Sequence, residues 1–191
     1  MCETKAPTPQ DLAEFLVSKG NSKTIVMKLL YYFACVCRKL KWKLDLAPME
    51  FEHWPFGPVH PPSFRNWETI HRNGCSKEFV TSIPLYYICI LEAINIKLAN
   101  ANASQLVEVS HESTPWKQTS ENEVLNLDLF GDNHFEQDLI SYVRDHVKRS
   151  LSDDPQASLE FHLLLRGVSK KRIDRAKLYS LQNPSEVPNY D

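Results

Sequence analysis

The sequence predicts a mainly α fold: a compact helical single domain with one short extended element. Three observations carry that expectation. Apolar residues recur at three- and four-residue steps over several stretches. Helix start and stop signals bracket those stretches. One block breaks the pattern, Phe51-Glu52-His53-Trp54-Pro55-Phe56-Gly57-Pro58-Val59, with three aromatics, two prolines and one of the chain's five glycines.

The first helix is expected from Thr8, which can cap, with Pro9 at the first helical position and Gly20 as the stop. The second runs from about Ser22 to Leu40. Its apolar stripe, Ile25, Val26, Leu29, Leu30, Phe33, Val36, Cys37 and Leu40, is wide enough for a central core helix. Lys28, Tyr31, Cys35 and Arg38 form an opposite, more polar line, read as an exposed helix edge or as a site.

Met49 to Trp54 reads as a short strand or extended arm. In the block that follows, Pro55 and Pro58 lack a backbone donor and bias their predecessors toward extended backbone. Gly57 can take a positive φ at no steric cost. The product is a stiff turn that displays Trp54 and Phe56. Pro61-Pro62 opens a third helix to about His71, and Pro84 precedes a fourth over Leu85–Ala99. Residues 100–105 form a turn into a short helix ending near Ser110. His111 to Lys117 reads as a loop. A last helix starts near Asn133, with Phe135, Leu139, Tyr142, Val143 and Val147 along one side. Ser152-Asp153-Asp154-Pro155 breaks it, and Ala157–Leu165 is open to either strand or helix.

Bulk properties narrow the function. The chain has 191 residues, 42% apolar and 24% charged, with a net charge of −2. That composition suits an ordinary globular protein and gives no global drive toward nucleic acid or membrane. The polar opening Met1-Cys2-Glu3-Thr4-Lys5 does not read as a secretory signal. The longest apolar run, Leu29 to Cys37, is too short to span a bilayer. The odd set Cys2, Cys35, Cys37, Cys75 and Cys89 argues against a disulfide framework and for a reduced, cytoplasmic setting.

Known chemistries find little to stand on. The scattered glycines build no phosphate-cradling loop or dinucleotide fingerprint, and no nucleophile elbow exists. His111-Glu112 resembles the start of a zinc-protease motif, but Pro115 occupies the place of the second histidine. The seven histidines show no metal-ligand spacing. No catalytic residue, metal or cofactor is assigned. Asn102-Ala103-Ser104 reads as a helix-entry turn rather than a glycan acceptor. Glu121, Glu123, Asp128, Asp132, Glu136 and Asp138 make an acidic stretch, either a face for a basic partner or solvated acids near a helix N-terminus. The basic run 166–177 is either a solvated tail helix or a contact for an acidic partner or nucleic acid. Trp54 and Trp116, each beside a proline, read as core or as interface.

Three motifs in order carry a resemblance: Lys28-Leu29-Leu30-Tyr31-Tyr32, the Phe51 to Val59 block, and His111-x-x-x-Pro115-Trp116-Lys117. Together they resemble the Panacea domain family over about Ser22 to Val147. On that basis residues 1–150 are read as a Panacea-like helical domain and 151–191 as a C-terminal extension of uncertain structure. The chain departs from the family pattern at Lys41–Ala47, where a glycine-containing turn is expected, and at Pro61–Arg65, which lacks a tyrosine.

The resemblance implies a cytoplasmic bacterial or phage antitoxin, not an enzyme, that neutralises a cognate protein toxin by direct binding, in some members as an adaptor to a protease. Candidate partner-binding residues are Lys28, Tyr31, Trp54, Phe56, Gly57, Pro58, His111, Trp116 and Lys117, with the tail 157–180 as a second contact. Two alternatives stay open: a nucleic-acid-binding regulator using 166–177, and an enzyme with His111 and Glu112 as base and orienter.

Overall fold

Caps decide where several of the helices begin. The computed structural model describes residues 7–42, 44, 48–76, 83–166 and 172–173. Helix α1 (Pro9–Ser18) opens on a capping box in which Thr8 and Asp11 satisfy each other's exposed amides. Asn102 and Gln105 do the same for α6 (Ala103–His111), and Asn133 and Glu136 for α8 (His134–Ser152). Asn102 thus serves as a helix-entry cap, in keeping with the turn expected there.

Helix α2 (Lys23–Lys39) is the centre of the core, with Val26 to Phe33 and Cys35 to Cys37 all buried. Lys28, Tyr31 and Cys35 are 1%, 0% and 0% exposed. The exposed edge read for this helix is therefore corrected. The side that looked polar is covered by a hairpin and by α6, segments distant in sequence that helical periodicity cannot register. Of that line Arg38 is the solvent-facing member, paired with Asp128.

The hairpin is β1 (Glu52–Trp54) against β2 (Gly57–Val59), antiparallel, with Trp54 opposite Gly57 and Glu52 opposite Val59. Its outer edge is bonded to a loop: His53 N donates to Glu123 O at 2.9 Å and Asn122 N to His53 O at 2.8 Å. The single helix expected from Pro61 is two, α3 (Pro61–Arg65) and α4 (Trp67–Gly74), broken at Asn66, where ψ turns to 18°. Helix α4 packs tightly on α1. A Cβ on Gly74 would stand 2.6 Å from Glu14 O and from Val17 Cβ.

Helix α5 (Leu85–Leu98) is rich in apolar residues and packs on both α8 and α2. Leu139, Val143, Val147 and Leu151 of α8 close over it. The loop expected at His111–Lys117 contains a short helix, α7 (Thr114–Lys117). Pro115 sits in its first turn, where a missing amide costs nothing. Asp154 Oδ1 accepts from Ala157 N at 2.9 Å and starts α9 (Pro155–Leu165). This helix seats on α5 and α8, with Phe161 edge-on to Trp42 at 5.1 Å.

Of the acidic stretch, Glu136 is used inside the fold, and the other five acids are exposed. Glu136 is 0% exposed and accepts from Gly131 N at 2.7 Å, Asp132 N at 2.9 Å and Thr114 N at 3.0 Å. Asp138 pairs with Lys97. Among the described residues no helix is long and apolar enough to cross a membrane.

Candidate functional site

The hairpin tip is fixed from beneath. Gly57 makes a left-handed step at φ 85°, a conformation that costs a side chain one to two kcal/mol or so. That step turns the carbonyls of Phe56 and Pro58 inward, where Lys28 Nζ donates to both, the second at 3.1 Å. Contact is close as well as polar. A Cβ on Gly57 would lie 2.4 Å from Ser110 Oγ, 2.7 Å from Lys28 Nζ and 3.3 Å from His111 Cδ2. Glycine is needed here twice, for its φ and for its missing side chain.

Burial lowers the Lys28 amine from 10.5 to about 7. Its two carbonyl acceptors work against that burial, since a carbonyl dipole stabilises the charged donor. Three residues on from Lys28, Tyr31 hydroxyl meets Ser113 Oγ at 2.8 Å. Ser113 gives its own proton to Ser110 O at 2.7 Å, so Tyr31 is the donor in that pair. Burial raises the Tyr31 phenol well above its usual range, and it stays protonated. One turn of α2 thereby holds both the hairpin and the junction of α6 with α7.

Beside this clamp three rings stack. His111 lies flat on Trp116, with centroids 4.1 Å apart and planes at 15°. His53 meets the same indole edge-on, also at 4.1 Å. Both His53 ring nitrogens, His111 Nε2 and Trp116 Nε1 are sealed from solvent without a hydrogen-bond partner. Burial first, then the charges of Lys28 and His53, hold the His111 imidazole below its ordinary 6.5, against a smaller opposing pull from Glu112.

Outside the clamp the surface is apolar. Phe56 is 76% exposed at the hairpin tip. Trp54 is half-buried, edge-on to Phe64 at 5.1 Å, with its indole donating to Glu52 Oε2 at 2.8 Å. A cavity of about 260 Å³ opens next to Phe56, between α2, α3 and α6.

The residues singled out in sequence therefore divide by position. Lys28, Tyr31, Gly57, Pro58, His111 and Trp116 converge beneath or beside the hairpin. Trp54 and Phe56 stand on its outer side. Lys117 is half-exposed and bound to the Glu112 carboxylate. That ion pair draws Glu112 to Lys117 and solvent, rather than behind His111 as an orienter. Sequence reasoning gave no site role to Ser110, Ser113 or His53, and took Glu136 only as one member of the acidic stretch. Two of these had signals: Ser113 precedes Thr-Pro, a helix-start pattern, and Glu136 sits three residues after Asn133. Of the basic run, 167–171 and 174–177 lie outside the described residues. Among those described, no cluster of three His, Cys, Asp or Glu side chains could hold a metal ion.

Residues 26–117 match the family model described as Antitoxin SocA-like, Panacea domain. This chain carries a Panacea domain. The matched stretch begins inside α2 and ends on Lys117, so it takes in the clamp, the hairpin and the ring stack whole. It is narrower than the span the three motifs suggested, because α8 falls outside it. No curated protein and no solved structure gives a match. The family description is that of an antitoxin-like domain, and the clamp of the Panacea domain is the geometry against which that description is read.

Proposed function

We propose that this chain is the antitoxin of a toxin–antitoxin pair in the cytoplasm of a bacterium or phage-infected cell. It neutralises a cognate protein toxin by covering the toxin's working surface, without catalysis of its own. One observation carries the reading beyond the family description: a large aromatic, Phe56, is displayed to solvent on a turn whose backbone is pinned by a buried lysine. Exposed aromatics on rigid supports suit binding hot spots, because little conformational freedom is lost on association. In this reading Phe56, Trp54 and Lys117 touch the toxin. Lys28, Tyr31, Gly57, Pro58, His111 and Trp116 set the surface they stand on.

The test is co-expression with the product of the neighbouring gene. The expected result is growth arrest by that product alone, rescue by this chain, and copurification of the two. Phe56→Ala should weaken capture about tenfold or more while leaving the melting temperature within a degree or so, as expected for an exposed hot-spot residue. A neighbouring product that is harmless and does not copurify removes the proposal.

A further inference from the structure

The cavity beside Phe56 has a composition that specifies its occupant. Its apolar lining is Met27, Val59, Phe64 and Val107 together with the exposed Phe56, and Lys23 lines it as well. At about 260 Å³ it falls just short of the 300–1,000 Å³ or so typical of small-molecule and cofactor sites. That is room for one apolar side chain rather than for a cofactor.

The electrostatics are one-sided. No carboxylate lines the cavity, whereas two lysines do. Lys28 is enclosed, its proton donors engaged by the hairpin carbonyls. Lys23 Nζ stands 3.5 Å from the centre of the Phe64 ring, at the mouth. Two helices also begin here. Lys23 and Thr24 are the first turn of α2, and Ala103 and Ser104 the first turn of α6, and neither first turn holds an acid. The positive ends of both helix dipoles add to the lysines. An apolar pocket with Lys23 and two helix N-termini at its lining and no carboxylate favours an apolar side chain flanked by carboxylates.

We infer that this groove is the docking site for an acidic segment of the toxin, which inserts one phenylalanine- or leucine-sized side chain between Phe56 and Val107 and sets its flanking carboxylates against Lys23. The inference rests on the antitoxin reading for the identity of the partner. It does not rest on it for the chemistry of the groove. A second copy of this chain is disfavoured, because Lys23 would be brought toward Lys23.

Two measurements on the full chain test it. In the first, an acetylated, amidated Asp-Phe-Glu tripeptide is titrated against methyl-labelled protein. The expected result is saturable shifts of the Met27, Val59 and Val107 methyls, absent when the flanking residues are Lys. Equal binding of the Lys-flanked peptide, or no shift at millimolar concentration, overturns the groove chemistry. So does a concentration-dependent dimer that shifts the same methyls without peptide.

In the second, Val107→Glu and Lys23→Glu are assayed for capture of the neighbouring gene's product. Each should lower affinity about tenfold or more, the loss expected of a binding anchor, with an unchanged melting temperature. Full neutralisation by both variants overturns the docking site and leaves the antitoxin reading in place. If the wild type captures no such product while the acidic peptide binds, the antitoxin reading fails and the groove stands.

Discussion

Two regions under one hairpin are built on opposite terms. On the α2 side, each polar contact of the clamp is completed: Lys28 serves two carbonyls, and Tyr31 and Ser113 pass their protons in series to Ser110 O. On the other side, His53, Trp116 and His111 form a ring stack in which four buried nitrogens have no partner. A satisfied buried network fixes one geometry, whereas an unsatisfied buried group costs about 1–3 kcal/mol. The contrast indicates that the clamp sets where the hairpin tip stands. The stack fills space beside it, at an energetic cost and with sensitivity to acid.

The sharpest way to break the clamp is Gly57→Val. The new side chain meets Ser110 and Lys28 and is forced to a φ of 85°. Left-handed strain and overpacking together should cost about 3 kcal/mol, or roughly 10 °C in melting temperature. A variant that melts with the wild type would mean the tip is not fixed from below.

Lys28→Met comes next. It leaves the Phe56 and Pro58 carbonyls without their donor, for a loss of about 1–3 kcal/mol near neutral pH. The pH dependence is more telling. The unfolded lysine keeps its proton up to its ordinary 10.5, while the folded one releases it at about 7. Across that window the unfolded chain binds more protons, so wild-type stability gains a term that rises with pH. Denaturant unfolding at both ends of the window should show that rise in the wild type and lose it in the variant. Parallel pH profiles would place the amine in water.

The smallest effect has the opposite sign. His53→Phe keeps the ring against Trp116 and removes two partnerless nitrogens, so a gain of up to about 1 kcal/mol is expected. It also removes one of the charges that depress His111. Since the folded His111 takes a proton later than the unfolded one, stability falls as pH drops below 6.5. That acid fall should become shallower in the variant. A clear destabilisation would instead show that bridging water already satisfies His53.

Much of the fold was legible because its signals are local. Thr8, Asn102 and Asn133 announce three helices, and the stripes of α2, α5 and α8 are long. What failed to register was non-local. The polar line of α2 looks solvated until Gly57 is laid over Lys28 and Ser113 under Tyr31, contacts that span 28 to 82 residues of chain. Asn66 breaks a helix without a proline or glycine, so nothing local marks α3 from α4. In the candidate site, the three motifs pointed to the right neighbourhood. Which members would be enclosed depended on packing that no motif encodes.

Helix α5 is predominantly apolar, and much of its cover comes from α8, beyond the borders of the matched region. The matched region and the packed core therefore have different edges. A transplant confined to residues 26–117 would uncover the side of α5 that packs on α8. Grafting this domain into another protein requires carrying the trailing helix along, or supplying a substitute of the same apolar shape.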